Sequence, residues 1–201
     1  MTREADRWLL PEGVEEILPP QSWRLEALRA RILELYRVWG YELVRPPLIE
    51  YLESLLTGTG GDLDLQTFKL TDQINGRMMG VRADITPQIA RIDARATALR
   101  GEAADSARYC YTGMVLRTRP DAPGGPRCLQ QAGVELFGHA GVESDLEVLS
   151  LMLETLRAAG IRNIHLDLGH VAIYSELVKQ AELNEAQRNG LLDIVRRRAL
   201  P

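Results

Sequence analysis

Two strand-like segments, "ARYCYTGMVLR" (107–117) and "CLQQAGVELFG" (128–138), separated by "TRPDAPGGPR", constrain the fold most. The prolines and glycines between them cannot continue a paired strand. The two segments therefore pair antiparallel as a long-looped hairpin, with Arg117, Arg119 and Arg127 around its tip. Side chains alternate along a strand, so Gln131, Gly133 and Glu135 face the same way.

The rest of the chain supplies layers for that hairpin. Leu25, Leu28, Ile32, Leu35, Tyr36 and Trp39 recur at three- and four-residue steps, predicting an amphipathic helix from Ser22 to Trp39 that Gly40 stops. A short edge or interface strand in "YELVRPPLIE" must end at Pro46 and Pro47. "TGTGGD" (57–62) reads as a loop, and Asn75-Gly76 as the turn of a second hairpin. Thr86-Pro87 reads as an N-cap and first helical position, with Ile89, Ile92 and Ala96 inward. Arg82, Asp84 and Thr86 are two apart and expected on one face. Leu146, Leu149, Leu153 and Leu156 mark a helix over Glu143–Ala159, and "NIHLDLGH" reads as a further strand before two closing helical stretches. Irregular alternation with hairpins implies an α+β fold on an antiparallel sheet. Residues 1–201 form one core, with 171–201 expected to begin an inserted or following helical segment.

With 45% hydrophobic and 26% charged residues, the chain is composed like a soluble globular protein. A net charge of −4 and no long basic run give no footprint for nucleic acid, so tRNA is not an expected partner, nor is a membrane. Two cysteines without a signal-like segment point to a reducing cytoplasm. Three histidines and two cysteines fall in no ligand pattern, so neither a metal nor a cofactor is expected.

Asp84, Thr86, Gln131 and Glu135 form a floor suited to a small zwitterion, since an ammonium seeks carboxylates. A carboxylate or phosphate seeks guanidinium forks, which Arg117 and Arg127 offer from the loop.

At these residues the sequence becomes recognisable. "GVRADITPQIAR", "YTGMVLRTRP", "QQAGVELFG" and "LDLGH", with "LLPEGVEEILP" near the N-terminus, resemble the core of class II aminoacyl-tRNA synthetases of the histidyl type. They resemble more closely the paralogous regulatory subunits of ATP phosphoribosyltransferase. The resemblance implies an antiparallel sheet flanked by helices and a homodimer interface built from the first long helix and the strand ending at Pro46-Pro47. It implies that Asp84 stands in place of a glutamate holding the histidine amino group, with Thr86 beside it, that Gln131 and Glu135 cradle histidine, and that Arg117 matches an arginine contacting carboxylate and α-phosphate. Arg119 stands where the synthetase carries a glutamate beside adenine, and a guanidinium has no acceptor to replace it. The expectation is a non-catalytic subunit, with histidine as effector and a short-form catalytic ATP phosphoribosyltransferase chain as hetero-oligomeric partner. An active histidyl-tRNA synthetase is the alternative. The ending "RRRALP" reads as the middle of a longer protein.

Overall fold

Local signals resolve, in chain order, into α1 (Gln21–Val38), β1 (Glu42–Leu43), β2 (Ile49–Tyr51), α2 (Leu52–Leu55), α3 (Gly61–Gln66), β3 (Phe68–Thr71) and β4 (Met78–Val81). There follow α4 (Thr86–Arg100), β5 (Ala107–Leu116), β6 (Cys128–Phe137), α5 (Val142–Ala158), α6 (Val171–Gln180) and α7 (Glu185–Arg196). The computed structural model describes residues 8–57, 61–100, 106–181 and 183–196. The chain divides into two units, Met1–Arg162 and Asn163–Pro201.

In the first unit the long hairpin forms as its sequence predicts. β5 and β6 pair antiparallel without a break, from Ala107 opposite Phe137 to Leu116 opposite Cys128. Cross-strand partners share a face, so the ladder sorts side chains into two layers. Tyr109, Tyr111 and Val115 on one face pack with Ile85 and Ile89 at the start of α4. Cys110 on the other face packs with Ile32 and Tyr36 of α1, Tyr41, and Leu151 of α5. Burial from both sides pushes the Cys110 thiol up to about 11, so it remains a packed, protonated group.

β1 joins the edge of this sheet through a parallel pairing with β5, Glu42 opposite Tyr109 and Leu43 opposite Cys110, and stops before Pro46. A second sheet, in the order β2-β4-β3, is antiparallel throughout. Its hairpin turns at Gly76, which takes a φ of +75° that side chains resist. Asn75 Oδ1 accepts the Arg77 N–H at 2.9 Å and holds the turn. The sheets meet where Leu116 donates to the Arg82 carbonyl (3.0 Å) and Thr118 donates to the Gln66 carbonyl (2.9 Å).

Four local expectations are corrected. "TGTGGD" is not loop throughout, because α3 begins at Gly61; residues 58–60 lie outside the described residues. Thr86 is the first helical residue rather than the cap. The Asp84 carboxylate accepts its N–H at 3.0 Å, and the Ile85 carbonyl takes the N–H groups of Gln88 and Ile89. α5 buries Leu151 completely and leaves Leu146 58% exposed, because α1 and Tyr41 meet the face carrying Glu147, Leu151 and Thr155. "NIHLDLGH" forms no strand: no ladder partner for its backbone occurs among the described residues, and Leu168 is exposed.

The second unit carries α6 and α7, linked by the Tyr174 hydroxyl donating to the Arg188 carbonyl at 3.0 Å. His170 caps α6 by accepting the Ala172 N–H. Asn184 and Gln187 exchange side-chain and backbone hydrogen bonds at 2.9 and 3.0 Å, a capping box opening α7.

The burial of α5 makes a direct test. Leu151→Ala should cost about 2 to 5 kcal/mol by denaturant unfolding, and Leu146→Ala within about 0.5 kcal/mol of nothing. Equal costs would contradict the assigned face.

Candidate functional site

The predicted floor residues converge on the α4-covered face of the β5–β6 sheet. Gln131, opposite Gly113, donates from Nε2 to Asp84 Oδ1 at 2.8 Å, while its Oε1 accepts the Ile85 N–H at 3.0 Å. Its amide is thus spent on fixing the strand-to-helix corner. Asp84 Oδ1 takes two hydrogen bonds, from Gln131 and from the Thr86 N–H. Oδ2 makes none among the described residues.

Glu135 is reached through a residue that the sequence reading passed over. The Tyr111 hydroxyl lies 3.1 Å from Thr86 Oγ1 and donates to Glu135 Oε1 at 3.3 Å. Tyr111 is opposite Gly133 in the ladder, and a Cβ on Gly133 would collide with the end of its ring. A glycine between two polar floor positions was the available sign that something lies across the strand. Taken alone, Tyr111 reads only as an apolar core residue.

Electrostatics show what the floor lacks. Burial is the largest cause raising the Glu135 carboxyl above its ordinary range, and the neighbouring Asp84 charge adds to it; hydrogen bonds from Thr86 and Tyr111 oppose the shift. Burial likewise raises the Tyr111 hydroxyl, keeping it a donor. Two carboxylates that repel one another, one partly desolvated, make a place where an added cation is stabilised.

The arginines divide. Arg117 Nε reaches the Ala83 carbonyl at 3.4 Å, next to Asp84, and Nη1 pairs with Asp121 on the loop. It stands beside the floor. Arg127 is committed to the backbone, donating to the carbonyls of Arg117 and Glu12 at 3.1 Å each, with its guanidinium 5.0 Å over the Phe68 ring. Arg119 is exposed. Arg82 parts from Asp84 and Thr86, and its guanidinium binds the Met114, Pro46 and Pro47 carbonyls instead.

No group of three or more potential metal ligands occurs among the described residues, and no described helix is long and apolar enough to cross a membrane. Trp8 and Trp23 are exposed, whereas Trp39 packs against the core.

A helix-covered antiparallel hairpin with its polar floor at the strand-to-helix corner is the architecture of a class II synthetase core. The histidyl-tRNA synthetase family profile matches residues 13–201, and the chain belongs to that family. Within it, the chain is 59% identical to the ATP phosphoribosyltransferase regulatory subunit of Thioalkalivibrio sulfidiphilus, over 98% of this chain and 49% of the relative. It is 57% identical to the subunit of the same name from Alkalilimnicola ehrlichii, over 97% and 48%. Among solved structures, the ATP phosphoribosyltransferase regulatory subunit/histidyl-tRNA synthetase from Bacillus halodurans C matches with a TM-score of 0.83 at 29% identity, over 96% of this chain and 48% of that one. The chain spans about half the length of the curated relatives it matches.

The raised Glu135 carboxyl gives a pH prediction. A carboxyl with a raised folded-state pKa stabilises the fold below its unfolded pKa, and that contribution is lost as pH rises through the folded value. Glu135→Gln should therefore melt above wild type at neutral pH, and the difference should shrink as pH falls through the raised pKa. A difference independent of pH would contradict the desolvated-carboxylate assignment.

Proposed function

We propose that this chain is the synthetase-like core of a non-catalytic ATP phosphoribosyltransferase regulatory subunit, in which the floor binds free histidine as a feedback effector. One observation carries the reading: Asp84 accepts its hydrogen bonds through Oδ1 alone, leaving Oδ2 without a partner among the described residues, beside a Glu135 carboxylate that burial and the Asp84 charge destabilise. The ammonium of an amino acid supplies the missing cation, and Arg117 at the Ala83 carbonyl is placed to meet its carboxylate. Names carried by relatives at 57–59% identity support the regulatory role and, with it, a catalytic subunit as partner.

Within this reading Gln131 is a positioning residue and Tyr111 keeps Glu135 oriented. Arg119 supports binding without adenylate chemistry, since its guanidinium cannot accept from an adenine amino group. Feedback requires only that histidine bind one state of the assembly better than another, and a coupling of about 1 to 3 kcal/mol suffices.

Mixing the full-length protein with a purified short-form catalytic subunit should produce phosphoribosyl-ATP formation that falls when histidine is added. No activation, together with histidine-dependent exchange of pyrophosphate into ATP, would place the chain with the active synthetases instead. Calorimetry resolves the site: Glu135→Gln and Gln131→Ala should each weaken histidine binding by about tenfold or more, equivalent to about 1.4 kcal/mol. Unchanged affinity in both would remove the floor as the histidine site.

A further inference from the structure

A second polar cavity sits beside β5, where Thr112 and Gln130 stand at the strand positions that alternate with Gln131 and Glu135. We propose that this cavity, lined by Arg29, Arg45, Pro46, Arg82, Thr112 and Gln130, binds a small phosphate-bearing ligand. Its volume is about 320 Å³, at the small end of ligand pockets and sufficient for one or two phosphate groups.

Three guanidinium groups line it, and no carboxylate does. Arg82 is only 7% exposed; Nε donates to the Met114 carbonyl at 2.8 Å and Nη1 to the Pro46 carbonyl at 2.9 Å, while Nη2 has no acceptor among the described residues. Burial lowers the Arg82 pKa, with only the more distant Glu50 charge opposing it. Arg45 has no side-chain partner among the described residues, and Arg29 is engaged through Nε alone, with Glu26 at 3.0 Å. The Thr112 hydroxyl and the Gln130 amide make no hydrogen bond among the described residues.

Charge separates phosphate from carboxylate as the occupant. One carboxylate answers a single guanidinium of three, whereas a phosphate carries close to two charges and several acceptor oxygens, and pyrophosphate carries more. Arg29 lies on α1 and Arg45 precedes Pro46, the two elements on which the family resemblance places a homodimer interface. A carboxylate from a second copy is therefore the rival occupant that the test must separate. The inference uses none of the residues assigned to the histidine floor.

The test titrates pyrophosphate, with malonate as the carboxylate comparison, into the full-length protein by calorimetry, with light scattering to record its oligomeric state. Pyrophosphate should bind with a Kd below about 1 mM and malonate more weakly. Arg45→Ala should weaken pyrophosphate binding about tenfold or more with an unchanged melting temperature, since that exposed side chain makes no hydrogen bond or ion pair among the described residues. Thr112→Val gives a second variant that preserves volume. Failure of the wild-type protein to bind pyrophosphate would overturn the proposal and leave the cavity to a second copy. Equal binding by wild type and both variants would overturn it, and malonate binding as tightly as pyrophosphate would overturn the phosphate assignment.

Discussion

A buried guanidinium ties the first unit together. Arg82 donates to carbonyls at the end of the β1 segment and in β5, and its backbone donates to Leu48 and accepts from Leu116. Those contacts join the edge segment, the long hairpin and the smaller sheet at one residue. Proline carbonyls suit this role because Pro46 and Pro47 have no N–H with which to extend a ladder, leaving their oxygens for side-chain donors. Gln88 reinforces the junction, donating from Nε2 to the Pro47 carbonyl and to Glu50, which in turn pairs with Arg91 at 2.5 Å. Two residues after Arg82 comes Asp84, so the junction that fixes the fold also fixes the floor.

The floor carries a cost in stability. Partly burying Glu135 beside Asp84 disfavours its charged form, and a strand filled with apolar residues there would pack at lower cost. Gln131 commits one bond to Asp84 Oδ1, whose second oxygen has no partner among the described residues, and Tyr111 donates to Glu135 Oε1. Such an arrangement is unfavourable for an isolated fold and favourable once a cation enters. The loop arginines divide as well: Arg127 ties the loop end of the hairpin to the N-terminal segment, and Arg117 stands beside the floor.

Much of this was legible in the sequence where the rule acted over a few residues. Period-two alternation put Gln131 and Glu135 on one face, and the Pro/Gly connector set the hairpin. The misreadings share a cause. Asp84 displaced Thr86 as the capping side chain because Gln131 and Tyr111, distant in sequence, held the two in those positions. Leu146 fits an apolar stripe as well as Leu151 does, and only the approach of α1 and Tyr41 decides which is buried.

The sequence by itself determined the long helices, the two hairpins, the convergence of the floor residues and the family likeness, because turn chemistry, side-chain alternation and helical periodicity are local properties of the chain. Tertiary structure decided the parallel pairing of β1, the role of Tyr111 across Gly133, the commitment of Arg127 to the backbone and the grouping of Arg29, Arg45 and Arg82 around one cavity. Each depends on which distant groups desolvate one another and which acceptors remain unmatched. That is a property of packing between segments, which no short window of sequence contains.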